Sequence, residues 1–323
     1  MIVKVCVSGA SGYLASHIIK KLLEENYYVK GLTRNKQHFL LNYYESLKKQ
    51  ITPSYKIENL ELIEYNPELT DNSDDLICIL FDCDYLIHCA SPVFLRTFSD
   101  ETANINKIIN PAIRYTENIL KAALSTNIKK VIFTSSTSTI YDGTKTKYTN
   151  KDWADIKYIH DAYSISKIES EKMAWRIYEE NKKWELVVLN PGRVIGPVIY
   201  GKIPESYCSI IEALHLSNQS NTDAGAGAYT DNHYSSYCDV RDVAIIHVYA
   251  LNNLITNRYI IAFEIKSFKD YCDLIVANKE YKFIHNDHPF EFENSFNDYT
   301  YISFEKSIQD SLENYQQHTS LQM

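Results

Sequence analysis

The chain has 323 residues, of which 45% are hydrophobic, and its formal net charge is -8. This length predicts two domains, or one large α/β domain with a smaller addition, and the apolar content allows a sizeable core. The acidic balance and the lack of a basic stripe argue against a nucleic-acid partner, and no apolar run approaches the ~20 residues that span a bilayer.

The seven cysteines form no Cys-x-x-Cys pair and have no histidine at metal-ligand spacing. Most of them lie in apolar runs, so we interpret them as free thiols of a reducing cytosol and predict no metal site. The start, Met1-Ile2-Val3-Lys4, leads straight into a strand pattern without a signal peptide, so we expect a cytoplasmic protein with no membrane partner.

The first strand pattern, Val3–Val7, is followed by a Gly-x-x-Gly-x-x-Ala turn and the helical pattern Tyr13–Glu25. This order seats a dinucleotide pyrophosphate on a helix N-terminus, with the glycines giving a sharp turn and room for the phosphates. A tight turn without a ligand is the alternative. The predicted contacts with the cofactor in this segment are Gly9, Ser11, Gly12, Tyr13 and Leu14.

Strand and helix patterns then alternate through the first two thirds of the chain. The predicted strands are Val3–Val7, Tyr28–Leu32, Leu60–Tyr65, Tyr85–His88, Lys130–Thr134 and Leu186–Leu189. The predicted helices are Tyr13–Glu25, Gln37–Lys49, Ser73–Phe81, Asn104–Ser125 and Ala162–Glu179. Such alternation predicts an α/β fold with a doubly wound parallel sheet, the Rossmann fold.

The alternation of strand and helix patterns ends after Pro191. The polar stretch Asn218–Ser236 is predicted to be a mobile loop that could act as a lid. Helical patterns return at 242–252, 268–277 and 303–315. We therefore predict a dinucleotide-binding domain over residues 1–190. A smaller substrate-binding lobe is predicted over 191–323, with some of its segments returning to the core.

Tyrosine and lysine occur four residues apart at four places, so the spacing alone carries little weight in a chain with 26 tyrosines. The four pairs are Tyr44/Lys48, Tyr141/Lys145, Tyr163/Lys167 and Tyr178/Lys182. Only Tyr163/Lys167 lies near a predicted helix start, one step after the hydroxyl cluster Thr134-Ser135-Ser136-Thr137-Ser138. We therefore predict that Tyr163 and Lys167 are catalytic.

The chemistry behind this prediction is proton transfer to a carbonyl oxygen. A free tyrosine has a pKa near ~10, and a neighbouring ammonium such as that of Lys167 stabilises the phenolate and lowers this pKa. The lysine can also bind the nicotinamide ribose, and a serine hydroxyl can hold the substrate oxygen. The sequence predicts a carbonyl reductase or secondary alcohol dehydrogenase.

The second strand runs into Thr33-Arg34-Asn35-Lys36, which has two cations and no acid. An acid there would bind the ribose 2′-hydroxyl of NAD, whereas Arg34 and Lys36 suit the 2′-phosphate of NADP. NADP(H) is therefore the predicted cofactor, with NAD(H) second. A solvated basic turn is the alternative interpretation.

Several further motifs occur in order along nearly the whole chain, and with those above they carry a family resemblance. They are Ile87-His88-Cys89-Ala90-Ser91-Pro92-Val93, Phe133-Thr134-Ser135-Ser136, Tyr163-Ser164-Ile165-Ser166-Lys167, Asn190-Pro191-Gly192-Arg193-Val194-Ile195-Gly196-Pro197 and Asp239-Val240-Arg241-Asp242-Val243-Ala244. The chain resembles the extended short-chain dehydrogenase/reductases, within the NAD-dependent epimerase/dehydratase superfamily. Inside that family it is similar to the dihydroflavonol reductase-like group.

The resemblance implies a Ser/Tyr/Lys triad in which Ser136 binds the carbonyl, with Ser135 as the second choice. It implies that further cofactor contacts come from Asn66, Ala90, Ser91, Pro92, Pro191 and Val194. For Pro191 and Val194, a simple strand exit is an equal alternative. His88, alone at a strand end, is expected to be a hydrogen-bonded core residue rather than an acid or base.

The sequence does not identify the substrate beyond a small carbonyl or alcohol, and either a monomer or a homodimer is compatible with it. Candidate pocket walls are Phe94, Tyr141, Tyr158, Val198, Tyr200 and Tyr207. Alternative functions on the same fold are a hydroxysteroid dehydrogenase and a nucleotide-sugar epimerase. An alternative of another class is a non-catalytic NADP(H)-binding redox sensor, which the Tyr/Lys pair disfavours.

Overall fold

The computed structural model describes residues 2–35, 57–67, 73–91, 101–199, 203–218, 229–275, 282–286 and 289–320. The strands are β1 Lys4–Ser8, β2 Tyr28–Thr33, β3 Leu60–Glu64, β4 Tyr85–His88, β5 Lys130–Thr134, β6 Lys147–Tyr148, β7 Glu185–Pro191, β8 Arg193–Ile195, β9 Tyr229–Asn232, β10 Tyr234–Asp239, β11 Asn257–Ile261, β12 Glu264–Ser267, β13 Lys282–Asn286 and β14 Glu291–Phe292. The α-helices are α1 Tyr13–Glu24, α2 Ser73–Leu80, α3 Glu101–Asn104, α4 Asn110–Leu124, α5 Ala162–Asn181, α6 Cys208–Asn218, α7 Val240–Asn253, α8 Phe268–Ile275 and α9 Phe304–Ser320.

Seven strands form a central parallel sheet in the order β11-β7-β5-β4-β1-β2-β3. The strand order reverses between β1 and β4. In β1, Val5 pairs with Val29 of β2 on one side and with Tyr85 of β4 on the other. A cleft for a ligand forms beyond the carboxyl ends of the strands at such a reversal. The predicted doubly wound fold is confirmed, and β11 is a strand that the sequence pattern did not predict.

Alternate residues of the buried strands pack on opposite faces of this sheet. Val7, Ile132 and Val187 belong to one apolar cluster, which also contains residues of α1 and α7. Val131 and Leu186, one position away on the same strands, belong to a second cluster, with residues of α2, α4 and α5. Both faces are therefore covered by helices, as the short apolar strand patterns predicted.

The later part of the chain builds a second, three-stranded sheet in the order β12-β10-β8. Strand β10 runs parallel to β8 and antiparallel to β12. An aromatic cluster packs around this sheet and includes Tyr207, Tyr237, Phe268, Tyr271 and Phe304. The division at residues 190/191 stays a prediction, since β11 joins the central sheet from beyond that point.

Two predictions differ from the structure. The predicted helix Asn104–Ser125 is interrupted: Asn104 ends α3, a π-helical turn occupies Ile105–Ile109, and α4 follows from Asn110 to Leu124. The predicted loop Asn218–Ser236 is wrong at its end, where β9 and the start of β10 lie, while residues 219–228 are outside the described residues. The predicted helix Gln37–Lys49 is also outside them. Among the described residues, no helix combines the length and apolarity needed to cross a membrane.

Candidate active site

The glycine turn lies at the carboxyl end of β1, where the strand order reverses. Gly9 has a φ of +72°, and a Cβ there would come within 3.0 Å of the Ala90 Cα. The Ser8 hydroxyl accepts hydrogen bonds from the N–H groups of Cys89 and Ala90, both at 3.1 Å. The turn is therefore fixed against the end of β4, and only glycine fits at its first position.

The N-terminus of α1 fits a phosphate group. Gly12 is the N-cap residue, and no side chain caps this end of the helix. The N–H groups of the first turn have no acceptor within the helix, so they can bind an anion, and the helix dipole favours it. Ser11 and Gly12 are exposed and Leu14 is half-buried. The Tyr13 hydroxyl donates to the Gly196 carbonyl at 2.6 Å, so it is the backbone of Tyr13 that remains for a ligand.

The ends of β2 and β3 hold the residues predicted for the adenosine end of the cofactor. Arg34 is exposed directly after β2. The N–H of Tyr65 donates to the Thr33 carbonyl at 2.8 Å, which brings the half-buried Asn66 beside the end of β2. The predicted contacts Lys36 and Pro92 lie outside the described residues.

The structure brings the three predicted catalytic residues together. Tyr163 and Lys167 lie in the first two turns of α5, whose N-cap Asp161 accepts a hydrogen bond from the Ser164 N–H at 2.7 Å. Ser136, two residues beyond the end of β5, lies close enough to Tyr163 to lower the pKa of the tyrosine hydroxyl. The Lys167 Nζ lies 5.9 Å from the centre of the Tyr163 ring.

Burial governs the protonation of this pair. It raises the pKa of Tyr163, Ser136 and Arg193 oppose this shift only in part, and Asp161 adds to it. Burial lowers the pKa of Lys167 to about 8. That Lys167 lowers the tyrosine pKa stays a prediction, because desolvation sets the net direction of the shift.

Lys167 also retains hydrogen-bonding capacity for a ligand. Its Nζ donates to the Thr134 carbonyl at 3.2 Å, which is its one hydrogen bond to the described residues. An ammonium group has three N–H donors, so two of them remain for the hydroxyls of a ribose. Together with the uncapped glycine turn, this capacity fits a dinucleotide.

A buried polar cluster that the sequence reasoning missed lies behind the serines. Glu171, one turn after Lys167, is fully buried and bonded to Arg258 Nε at 2.6 Å. Its carboxylate also accepts hydrogen bonds from Thr139 at 2.7 Å, from Asn190 at 2.9 Å and from Ser135. Ser135 therefore points away from Tyr163. Glu171 could have been found from the sequence, because it follows Lys167 by four residues and so lies on the same helix face. Nothing in the sequence pointed to Arg258.

His88 is a core residue, as expected. It is buried, its Nδ1 lies 2.7 Å from the Ser8 Oγ, and its Nε2 lies 3.3 Å from the Thr116 Oγ1. Burial lowers its pKa to about 3, so it is neutral. Ala90 and Ser91, which follow it, are half-buried beside the glycine turn.

The predicted walls of the substrate pocket are scattered. The ring of Tyr141 packs against that of Phe290 within an aromatic cluster, with the two ring centres 4.2 Å apart. Tyr158 is exposed, whereas Val198 and Tyr207 are buried. Phe94 and Tyr200 lie outside the described residues. Pro191 is buried at the end of β7, and Val194 is half-buried in β8.

Arg193 is a further residue that sequence reasoning missed. It lies in β8, and its charge is near enough to Tyr163 to lower the tyrosine pKa. The preceding residue must be glycine, because a Cβ at Gly192 would come within 2.6 Å of the Ser236 carbonyl oxygen. Arg193 could have been noticed in the sequence, because a charged residue directly before the apolar pair Val194-Ile195 is unusual at the end of a buried strand.

Comparisons with known proteins agree with this geometry. Residues 5–262 match the NAD dependent epimerase/dehydratase family. Cinnamoyl-CoA reductase 2 of Medicago truncatula is 31% identical over 268 residues, which cover 79% of this chain and 70% of that protein.

Two solved structures share the fold along almost the whole length of both chains. One is the yeast methylglyoxal/isovaleraldehyde reductase Gre2 complexed with NADPH, with a TM-score of 0.79, 23% identity and coverage of 98% of this chain and 99% of that one. The other is Gre2 of Candida albicans in complex with NADPH, with a TM-score of 0.75, 25% identity and the same coverage. The chain belongs to the NAD dependent epimerase/dehydratase family, as an oxidoreductase of the extended short-chain type in the dihydroflavonol reductase-like group.

Proposed function

We propose that the protein is an NADP(H)-dependent carbonyl reductase, which in reverse oxidises a secondary alcohol. The observation that carries the proposal is that three groups lie together at the carboxyl edge of the parallel sheet. Ser136 is close enough to Tyr163 to lower the pKa of its hydroxyl, and the Lys167 Nζ lies 5.9 Å from the centre of the Tyr163 ring. A proton donor, an oxygen-binding hydroxyl and a ribose-binding cation are the groups that carbonyl reduction needs from a protein.

The cofactor assignment draws on three features of this chain. The uncapped N-terminus of α1 suits the pyrophosphate, and Lys167 has free donors for the nicotinamide ribose. The exposed Arg34, whose segment Thr33-Arg34-Asn35 contains no acidic residue, suits a 2′-phosphate. The NADPH-bound Gre2 structures support the same choice. When bound, NADPH supplies the hydride that reaches the carbonyl carbon.

The residues of the chain handle the proton and the oxygen. Ser136 holds the carbonyl oxygen, and Tyr163 donates its proton to that oxygen as the alcohol forms. A raised pKa keeps Tyr163 protonated at neutral pH, which suits a proton donor and favours reduction over oxidation. Below a pH of about 8, Lys167 is charged and can stabilise the tyrosinate that remains. Ser135 is engaged by Glu171, which favours Ser136 as the oxygen-binding serine.

The test is Tyr163→Phe, which removes the proton donor and leaves the ring. We expect NADPH binding, measured by fluorescence titration, to stay within a few-fold of wild type, while turnover falls by about 10²- to 10⁴-fold. Turnover is measured as NADPH consumption over a panel of aldehydes, diketones and flavonoid ketones, with NADH in parallel.

The matched control is Tyr178→Phe on the same helix, in the second Tyr/Lys pair of α5. Its ring packs against Trp175 and Trp184, so a phenylalanine retains the contact and we expect wild-type turnover. Wild-type turnover of Tyr163→Phe on a confirmed substrate would refute the mechanism. A tenfold preference for NADH would refute the role of Arg34.

A further inference from the structure

Arg193 lies in β8, close enough to Tyr163 for its positive charge to act on the tyrosine hydroxyl. One nitrogen, Nη1, lies 3.0 Å from the Cys208 Sγ and 3.3 Å from the Ser209 Oγ. Among the described residues, no carboxylate forms an ion pair with this guanidinium. A half-buried cation without a counter-charge is costly, so such a group is retained where a ligand completes it.

The surroundings of Arg193 are neutral but polar. Tyr237, its register partner on β10, and Tyr271 interact with it electrostatically. Both phenol hydroxyls are buried without a described hydrogen-bond partner of normal geometry, and burial raises the pKa of both, so neither supplies a negative charge. Neither tyrosine therefore neutralises Arg193, although Asp161, the N-cap residue of α5, raises the pKa of Tyr163 more than Arg193 lowers it.

The two partners of Nη1 lie on one helix. Cys208 and Ser209 are the first two residues of the 11-residue helix α6, which continues the 3₁₀ turn Glu205–Tyr207, and the Cys208 N–H donates to the Glu205 carbonyl. The helix therefore holds Nη1 in place and leaves the other edge of the guanidinium unengaged by these two residues.

The geometry of the guanidinium selects the kind of anion. Nη1 is already held, whereas Nε and Nη2 have no hydrogen bond to a described residue. The Nε–Nη2 edge is a planar fork that matches the two oxygens of a carboxylate. An ester or amide in the same place offers no negative charge.

We propose that Arg193 binds a carboxylate of the substrate and thereby selects oxo acids, in which the reacting carbonyl lies a few bonds from the acid group. This inference rests on the proposed carbonyl reductase function and adds the substrate class. The overall reaction would convert the oxo acid, NADPH and a proton into the hydroxy acid and NADP⁺. The hydride goes to the carbonyl carbon and the Tyr163 proton to its oxygen.

The kinetic test compares each oxo acid with its methyl ester. For 2-oxobutanoate, 3-oxobutanoate and 4-oxopentanoate, we expect the best acid to exceed its ester by 10-fold or more in kcat/KM. In Arg193→Met the ratio of acid to ester should fall to about one, and Arg193→Lys should restore part of it. The acid-to-ester ratio of kcat/KM is the quantity compared. Any effect of the lost charge on Tyr163 acts on both substrates and therefore cancels in this ratio.

Arg176→Met is the matched control, since Arg176 is exposed on α5 and its ratio should equal that of the wild type. Equal kcat/KM for acids and esters in the wild type, or an unchanged ratio in Arg193→Met, would overturn the inference and leave the reductase function standing. So would a tenfold preference for dihydroxyacetone phosphate over the best oxo acid, because that result would assign the site to phosphate.

A binding measurement separates the inference from turnover. Benzoate and methyl benzoate are titrated calorimetrically into wild type and Arg193→Met in the presence of NADP⁺. We expect benzoate to bind the wild type at least 10-fold more tightly than it binds the variant, with no such difference for the ester. Equal benzoate affinities would overturn the inference, whether or not the protein reduces any carbonyl.

Discussion

Two arginines of this protein, Arg258 and Arg193, stand in opposite electrostatic situations near the same predicted catalytic residues. The guanidinium of Arg258 is buried and bonded to the Glu171 carboxylate, to the Thr139 hydroxyl at 3.0 Å and to the Asn150 carbonyl at 3.1 Å. Among the described residues, the guanidinium of Arg193 forms no ion pair and keeps its Nε–Nη2 edge unoccupied. A cation that is paired with a carboxylate holds structure, and a cation with an unoccupied hydrogen-bonding edge is suited to a ligand.

The difference has an energetic consequence. Removing one partner of a buried ion pair leaves the other charge buried and unpaired, which costs about 3–5 kcal/mol. Removing Arg193, which forms no ion pair with a described residue, leaves no described carboxylate unpaired. The Glu171 cluster should therefore determine stability, and Arg193 should determine what binds.

The largest expected effect comes from Glu171→Leu. This substitution leaves Arg258 without its carboxylate and removes the acceptor of Asn190 and Ser135, so the free energy of unfolding should fall by about 3–5 kcal/mol. Urea denaturation followed by circular dichroism measures the loss. The double variant Glu171→Leu/Arg258→Leu should recover part of it, and a loss below 1 kcal/mol in the single variant would contradict the role of the pair.

The second effect concerns pH and separates activity from stability. Burial lowers the Lys167 pKa to about 8, so its charge is complete below that pH and is lost as the pH rises through it. The kcat/KM for NADPH should fall by up to about tenfold for each pH unit above 8, while the circular dichroism signal stays constant. In Lys167→Arg, which stays charged, the residual activity should show no such decline. Constant wild-type kcat/KM up to pH 9.5 would refute this assignment.

The smallest effect is expected for the stability of Arg193→Met. Because no acid loses a partner, the free energy of unfolding should change by less than about 1 kcal/mol. The same urea titration gives the value, with Arg176→Met as the exposed control. A loss as large as that of Glu171→Leu would show that Arg193 is a structural residue and would remove the contrast between the two arginines.

Much of the fold was readable from the sequence because it depends on local patterns. The strand Lys130–Thr134 and the helix start at Ala162 are where the apolar runs and the polar break predicted them. Strands β8, β10 and β12 were missed, because they form a sheet outside the βα alternation. The choice among four Tyr/Lys pairs came from position along the chain, and the structure places the selected pair beside Ser136.

The sequence by itself determined the nucleotide-binding architecture and the choice of the predicted catalytic pair, because glycine spacing, helical spacing and strand order are properties of neighbours in the chain. Only the tertiary structure decided which serine faces Tyr163, in which direction its pKa moves, and which arginine is neutralised. Glu171 and Arg258 are 87 residues apart in the chain, and Arg193 is 30 residues from Tyr163. Desolvation and charge pairing depend on such distant groups, so no local pattern encodes them.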